Sequence, residues 1–146
     1  MNRAEFEMLR DLPGKVIRGD IKFSRKQALA PRLVAEDLVS ENTAGVELRM
    51  AVHSNPATTA KTINVHVPGT GPICRLDIDG TVHGAAGRSH KHSLQTGRCP
   101  DRNLPDGVVA RPELAGKSPR EVFESFCELA GIVHDGSFHE PDPRWP

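Results

Sequence analysis

Three stretches of the chain alternate apolar and polar residues, and this pattern limits the fold more than any other feature. The stretches are 46–52, 63–67 and 73–79. A period of two puts apolar side chains on one face of a strand and polar side chains on the other. Turn-forming residues at 54–59 and 68–72 separate the three stretches. The sequence therefore predicts consecutive antiparallel hairpins that bury one face.

Less regular strand-like stretches extend this sheet on both sides. They occupy 16–23 and 32–40 before the three regular stretches and 89–95 after them. Together they predict an antiparallel sheet of about five or six strands.

Capping signals predict one helix at each end of the chain. Asn2 with Glu5, and Ser118 with Glu121, have the spacing of a capping box, and Gly131 stands where the second helix ends. The predicted fold class is α+β: an N-terminal helix, an antiparallel sheet of about five or six strands, and a C-terminal helix packed on one face.

The 146 residues suit a single domain. We expect residues 1–139 to form it and 140–146 to be a proline-rich tail. Three cysteines without a C-x-x-C spacing are typical of reduced thiols, and the apolar runs are too short for a membrane span. A cytoplasmic protein without a membrane partner is therefore expected. Nineteen basic and nineteen acidic residues balance, which argues against a general polyanion binder.

Histidines cluster in the centre of the sequence. His90 and His92 are two residues apart, so on a strand they share a face at roughly 7 Å. His83 precedes them, after the glycine-rich segment that begins at Gly80. These three imidazoles are the predicted catalytic residues.

Charged residues of both signs accompany the histidines. Arg75, Asp77 and Asp79 are expected on one face of the preceding strand, while Arg88 and Lys91 add positive charge nearby. If the two strands pair, these polar faces meet, in a register that the sequence leaves open.

Imidazoles beside arginines suit phosphodiester chemistry. One neutral histidine can accept the proton of a ribose 2′-hydroxyl, and a protonated one can donate to the leaving oxygen. The predicted phosphate ligands are Arg75, Arg88 and Lys91, with Asp77 and Asp79 in support. This reaction needs no metal or other cofactor.

Two other interpretations remain open for the same residues. His83, His90 and His92 could hold zinc or another divalent metal, with Asp79 as an alternative third ligand. The histidines could also line a solvated edge strand, with Asp77 only pairing with Arg75.

Other residues receive simpler interpretations. Cys74 and Cys127 fall on apolar faces and are predicted to be buried. His66 alternates away from the apolar face and is expected near the polar surface. The remaining histidines are interpreted as surface or loop residues: His53, His134 and His139.

The pattern R-x-D-x-x-G-x-x-H over 75–83, followed by Ser89-His90-Lys91-His92 and a closing helix, resembles a known group. It is similar to small prokaryotic proteins that phages or mobile elements often carry, and more distantly to the TumE-type toxins of toxin–antitoxin pairs. The resemblance implies a site at Arg75, Asp77, His83, His90 and His92.

Two functions follow as expectations. The first is a toxin-like ribonuclease that cleaves RNA without a metal and that a protein antitoxin covers. The alternative is a non-catalytic phage or mobile-element accessory protein that binds a protein partner, with a structural or metal-binding histidine cluster. The balanced charge favours the alternative, so whether the chain is an enzyme stays open.

Overall fold

The computed structural model describes residues 2–27, 30–79, 90–92 and 109–142, with the backbone alone at 26–27, 30–32, 37, 90–92 and 109–110. In chain order the elements are α1 (Arg3–Asp11), β1 (Lys15–Arg18), β2 (Ser24–Gln27), β3 (Ala30–Glu41), β4 (Leu48–Ser54), β5 (Lys61–Val67), β6 (Gly71–Ile78), β7 (His90–His92), β8 (Val109–Ala110), a short 3-10 helix (Pro112–Leu114), α2 (Pro119–Ala130) and β9 (Ile132–Asp135).

The strands form one sheet in the order β8-β7-β6-β5-β4-β3-β1-β9, and β2 pairs with β3 off this path. The α+β architecture, with a helix before and after the main sheet, is thus confirmed. The sheet differs from the expected one in having nine strands among the described residues and in being mixed, because β9 runs parallel to β1.

The parallel strand β9 arises from the way α2 ends. Gly131 adopts the left-handed conformation with φ of 65°, which reverses the chain, and its carbonyl accepts a 3.1 Å hydrogen bond from the Lys15 N–H. Ile132 then pairs with Lys15, and the register continues to Asp135 opposite Arg18. A strand of four residues is too short for its alternation to be read from the sequence.

Both helices begin as the sequence predicts. Asn2 and Glu5 exchange two 2.8 Å hydrogen bonds at the start of α1, and Ser118 and Glu121 do the same at 2.9 and 3.2 Å at the start of α2. These bonds satisfy backbone N–H groups that a helix cannot pair internally. Pro119 at the first position of α2 needs no such partner.

The helices cover one face of the sheet. α1 packs on β6, while α2 packs on β5, β6 and β9. Completely buried aromatic and aliphatic side chains fill the layer between them, and burial of each contributes roughly 1.5–3 kcal/mol. The largest are Phe6, Leu9, Ile17, Leu48, Met50, Ile63, Phe123 and Phe126.

A buried lysine closes the end of α1. Lys15 is 0% exposed, and its ammonium donates to the carbonyls of Leu9, Arg10 and Leu12 at 3.3, 3.0 and 2.6 Å. Three donors thus meet three carbonyl oxygens at the negative end of the helix dipole.

The proline-rich tail begins in contact with α2. Glu140 accepts a 3.0 Å hydrogen bond from the backbone N–H of Arg120, in the first turn of that helix. Residues 143–146 lie outside the described residues. Within the described parts of the chain, neither helix has the length and apolar character that crossing a membrane requires.

Candidate functional site

The sheet face opposite the helices carries polar side chains from three neighbouring strands. Thr62 on β5 pairs with His53 on β4 and with Asp77 on β6. Two residues further along β5, Asn64 pairs with Arg75 on β6. Residues directly opposite each other on antiparallel strands share a face at about 5 Å. We call this surface the polar face. It consists of His53, Thr62, Asn64, His66, Arg75 and Asp77.

A buried carboxylate orients the arginine of the polar face. Nε of Arg75 lies 3.0 Å from Oδ2 and 3.2 Å from Oδ1 of Asp77, and Nη2 lies 3.1 Å from Oδ1. The Thr62 hydroxyl donates to the same carboxylate at 2.7 Å. The Asp77 side chain is 11% exposed, whereas the Arg75 side chain is 39% exposed. The carboxylate therefore fixes the guanidinium plane, and the arginine keeps a surface that a ligand can reach.

Two adjoining grooves of about 300 and 510 Å³ run along the polar face. His53, Asn64 and Arg75 line both. The smaller groove extends towards the turn between β4 and β5, and the larger one towards the turn between β5 and β6. Their volumes lie in the range of small-molecule sites. Since β5 has seven residues, the grooves together follow a strand of roughly 20 Å.

His66 lines the larger groove and has an orienting partner. Its Nδ1 lies 3.2 Å from Oδ1 of Asn64, two residues earlier on the same strand. The ring is half-buried. The expectation that His66 lies on the polar surface is thus confirmed.

The register between β6 and β7 decides where the predicted histidines lie. His92 pairs with Arg75 and His90 with Asp77, so both occupy positions on the polar face. Lys91 pairs with Leu76, a core residue, and its position belongs to the helix-covered face. The fold thus brings His90 and His92 to Arg75 but does not bring Lys91 there.

Asp79 is separated from Arg75 and Asp77, contrary to the expectation that the three share a face. The strand ends at Ile78, and Asp79 has a φ of 54°, so the alternation stops there. Its carboxylate accepts a 2.9 Å bond from the Gly116 N–H and lies 3.7 Å from Nζ of Lys61. These contacts stabilise the connection that leads into α2.

Two predicted site residues, His83 and Arg88, lie outside the described residues, and their roles stay predictions. His53, which we expected to be a surface or loop residue, lies on the polar face. Continuing the alternate positions Glu47, Arg49 and Ala51, which oppose the apolar positions of the same stretch, by one step would have placed it on this face.

The other described histidines have structural contacts away from the polar face. The Nε2 atom of His134 lies 2.8 Å from the Gly19 carbonyl oxygen, and that of His139 lies 3.5 Å from the Asp20 carboxylate. His139 is exposed, as expected.

No group of three or more histidine, cysteine, aspartate or glutamate side chains could hold a metal among those that the structure describes. The metal interpretation of His83, His90 and His92 concerns side chains outside this set and stays a prediction. Cys74 and Cys127 are buried, as predicted. Burial raises the pKa of the Cys127 thiol to about 12, which keeps it protonated at neutral pH.

No family model, curated protein or solved structure matches the chain. The function must therefore be argued from the geometry of the polar face itself.

Proposed function

We propose that the polar face binds RNA in its two grooves and cleaves it by a metal-independent reaction of histidines. The observation that carries the proposal is Arg75, which a buried carboxylate orients in grooves also lined by His53 and His66. A fixed guanidinium is suited to hold a phosphodiester. The positions of His90 and His92 opposite Asp77 and Arg75 would add two imidazoles.

The reaction would be an internal transesterification. The ribose O2′ attacks phosphorus, the P–O2′ bond forms and the P–O5′ bond breaks. One neutral imidazole accepts the O2′ proton, and a protonated imidazole donates a proton to the departing O5′. The products are a 2′,3′-cyclic phosphate and a 5′-hydroxyl. Arg75 would stabilise charge on the non-bridging oxygens.

The biological setting that we propose is a cytoplasmic toxin of a toxin–antitoxin pair or mobile element. The resemblance of 75–92 to the TumE-type toxins supports this setting. A protein antitoxin would then bind over the polar face and block the grooves.

A second candidate function is protein binding without catalysis. Val39 and Val133 are 49% and 56% exposed on strands at the other end of the sheet from β7. These two side chains are the observation that favours a protein contact at that end of the sheet. In this case the chain would be an accessory protein, and its histidines would be structural or would bind a metal such as zinc.

Purified protein and one labelled oligonucleotide sequence, prepared both as RNA and as an all-deoxy strand, test the catalytic proposal. The wild type should cleave the RNA in the presence of a chelator and leave the all-deoxy strand intact, because the nucleophile is the 2′-hydroxyl. Arg75→Lys keeps the charge beside Asp77 but loses the two-pronged contact, and should lower kcat/KM about 100-fold. His139→Ala, remote from the grooves, should cleave like the wild type.

Three results would count against this proposal: no RNA cleavage, cleavage of the deoxy strand, or equal rates for Arg75→Lys and the wild type. Loss of cleavage in the chelator would favour the metal interpretation. In a bacterial host, the wild type should arrest growth and fragment RNA, whereas the double variant His90→Ala/His92→Ala should not.

A further inference from the structure

We propose that His66 is the proton acceptor in this reaction and that Asn64 holds it in the required tautomer. The inference rests on the proposed function and adds to it a residue with a stated role. It starts from the groove in which both side chains lie together with Arg75.

The contact between the two side chains selects the tautomer. Nδ1 of His66 lies 3.2 Å from Oδ1 of Asn64, and an amide oxygen can only accept a hydrogen bond. With the amide in this orientation, Nδ1 would carry the proton, and in the neutral ring the lone pair would belong to Nε2. A nitrogen with a lone pair beside a phosphate-binding arginine has the chemistry of a general base.

The strand pairing places this base next to the phosphate ligand. Asn64 lies directly opposite Arg75, and His66 is two residues further along β5 on the same face. The register shifts between Val65 and His66, where His66 pairs with Pro72, yet His66 and Arg75 line the same groove.

Asn64 is thus a positioning residue. It would act through the orientation and tautomer of the His66 ring, while His66 itself meets the 2′-hydroxyl. The imidazole that donates to the leaving oxygen would come from another strand, since β5 contributes His66 alone.

The tautomer can be measured without any substrate. Long-range 1H–15N spectra of labelled protein at a pH where the ring is neutral should show His66 with its proton on Nδ1, the signals being assigned by their loss in His66→Ala. Asn64→Ala should reduce this preference. A wild-type ring protonated mainly on Nε2 would overturn the inference, because the amide would then present its NH₂ group.

Kinetics test the role of the ring. His66→Ala should lower kcat about 10²–10⁴-fold, as expected for loss of a general base, with KM within about 2-fold of the wild type. Added imidazole should restore part of kcat in His66→Ala but none in Arg75→Lys. His139→Ala serves as the matched histidine control and should behave like the wild type.

Different negative results would count against the proposed function and against the role of His66. A wild type that cleaves RNA together with a His66→Ala variant that cleaves equally fast would overturn the role of His66 and leave the proposed function standing. A wild type that cleaves no RNA would overturn both.

Discussion

Polar side chains on the helix-covered side of the sheet bind mainly backbone groups, although Lys61 and Asp79 also lie 3.7 Å apart, whereas Arg75 on the polar face binds a side chain. On the helix-covered side, Lys15 donates to carbonyls at the end of α1, Lys61 donates to the Thr59 carbonyl at 2.7 Å, and Asp79 accepts from the Gly116 N–H. On the polar face, Arg75 binds another side chain, that of Asp77, and lines two grooves. The side chains that bind backbone groups satisfy hydrogen bonds at the end of a helix and in turns. Arg75, by contrast, faces the two grooves that a ligand would fill.

Asp77 and Asp79 show this contrast most clearly, because they are only two residues apart. Asp77 accepts from Thr62 and Arg75 within the polar face. Asp79, beyond the end of β6, accepts from Gly116 near the start of α2. Asp77 thus orients Arg75, a candidate ligand-binding residue, whereas Asp79 stabilises a loop.

The largest expected effect on folding concerns the helix-covered side. Lys15→Met keeps most of the buried volume but removes the donors to three carbonyls, and unsatisfied buried acceptors cost about 1–3 kcal/mol each. Because some of these carbonyls can be hydrated, we expect a loss of about 3 kcal/mol in the free energy of unfolding. Urea denaturation measures this change.

Lys22→Met is the matched control, since Lys22 is exposed. Its free energy of unfolding should stay within about 0.5 kcal/mol of the wild type. If Lys15→Met were equally neutral, the contacts of its ammonium would not hold α1 to the sheet. The rate of RNA cleavage per folded molecule should be unchanged in both variants.

The smallest expected effect on stability concerns Asp20, an exposed carboxylate outside the polar face. Hydrogen bonds from the Ser137 N–H and from His139 hold the pKa of Asp20 below its ordinary value of 3.8. The stabilisation is therefore present above that value and is lost as the pH falls through the lowered pKa. Melting curves of Asp20→Asn and wild type should differ slightly at pH 7 and converge in strong acid. A difference that grows as the pH falls would contradict the assignment.

Much of this arrangement is predictable from local patterns. The alternation at 46–52, 63–67 and 73–79 identifies β4, β5 and β6, and the capping residues identify both helices. The polar positions of β6 likewise identify Arg75 and Asp77. These features depend on neighbours within a few residues, which a sequence pattern records directly.

The remaining features depend on contacts between distant parts of the chain. The pairing of β9 with β1 joins residues more than 110 positions apart and follows from the reversal at Gly131. The register that places His92 opposite Arg75 is set by the whole sheet. Asp79 has a positive φ, which aspartate adopts more often than most residues, but its contacts with Lys61 and Gly116 join parts of the chain that local patterns do not connect.

The most direct test compares RNA cleavage by Asp77→Asn and Asp79→Asn under identical conditions, with each rate corrected for the folded fraction. Asp77→Asn weakens the charged contact that orients Arg75, and kcat/KM should fall about 10–100-fold, equivalent to about 1.4–2.7 kcal/mol of transition-state stabilisation. Asp79→Asn should remain within about 2-fold of the wild type, because its contacts lie on the helix-covered side. Equal losses in the two variants, or a larger loss in Asp79→Asn, would contradict the assignment of the polar face as the functional surface.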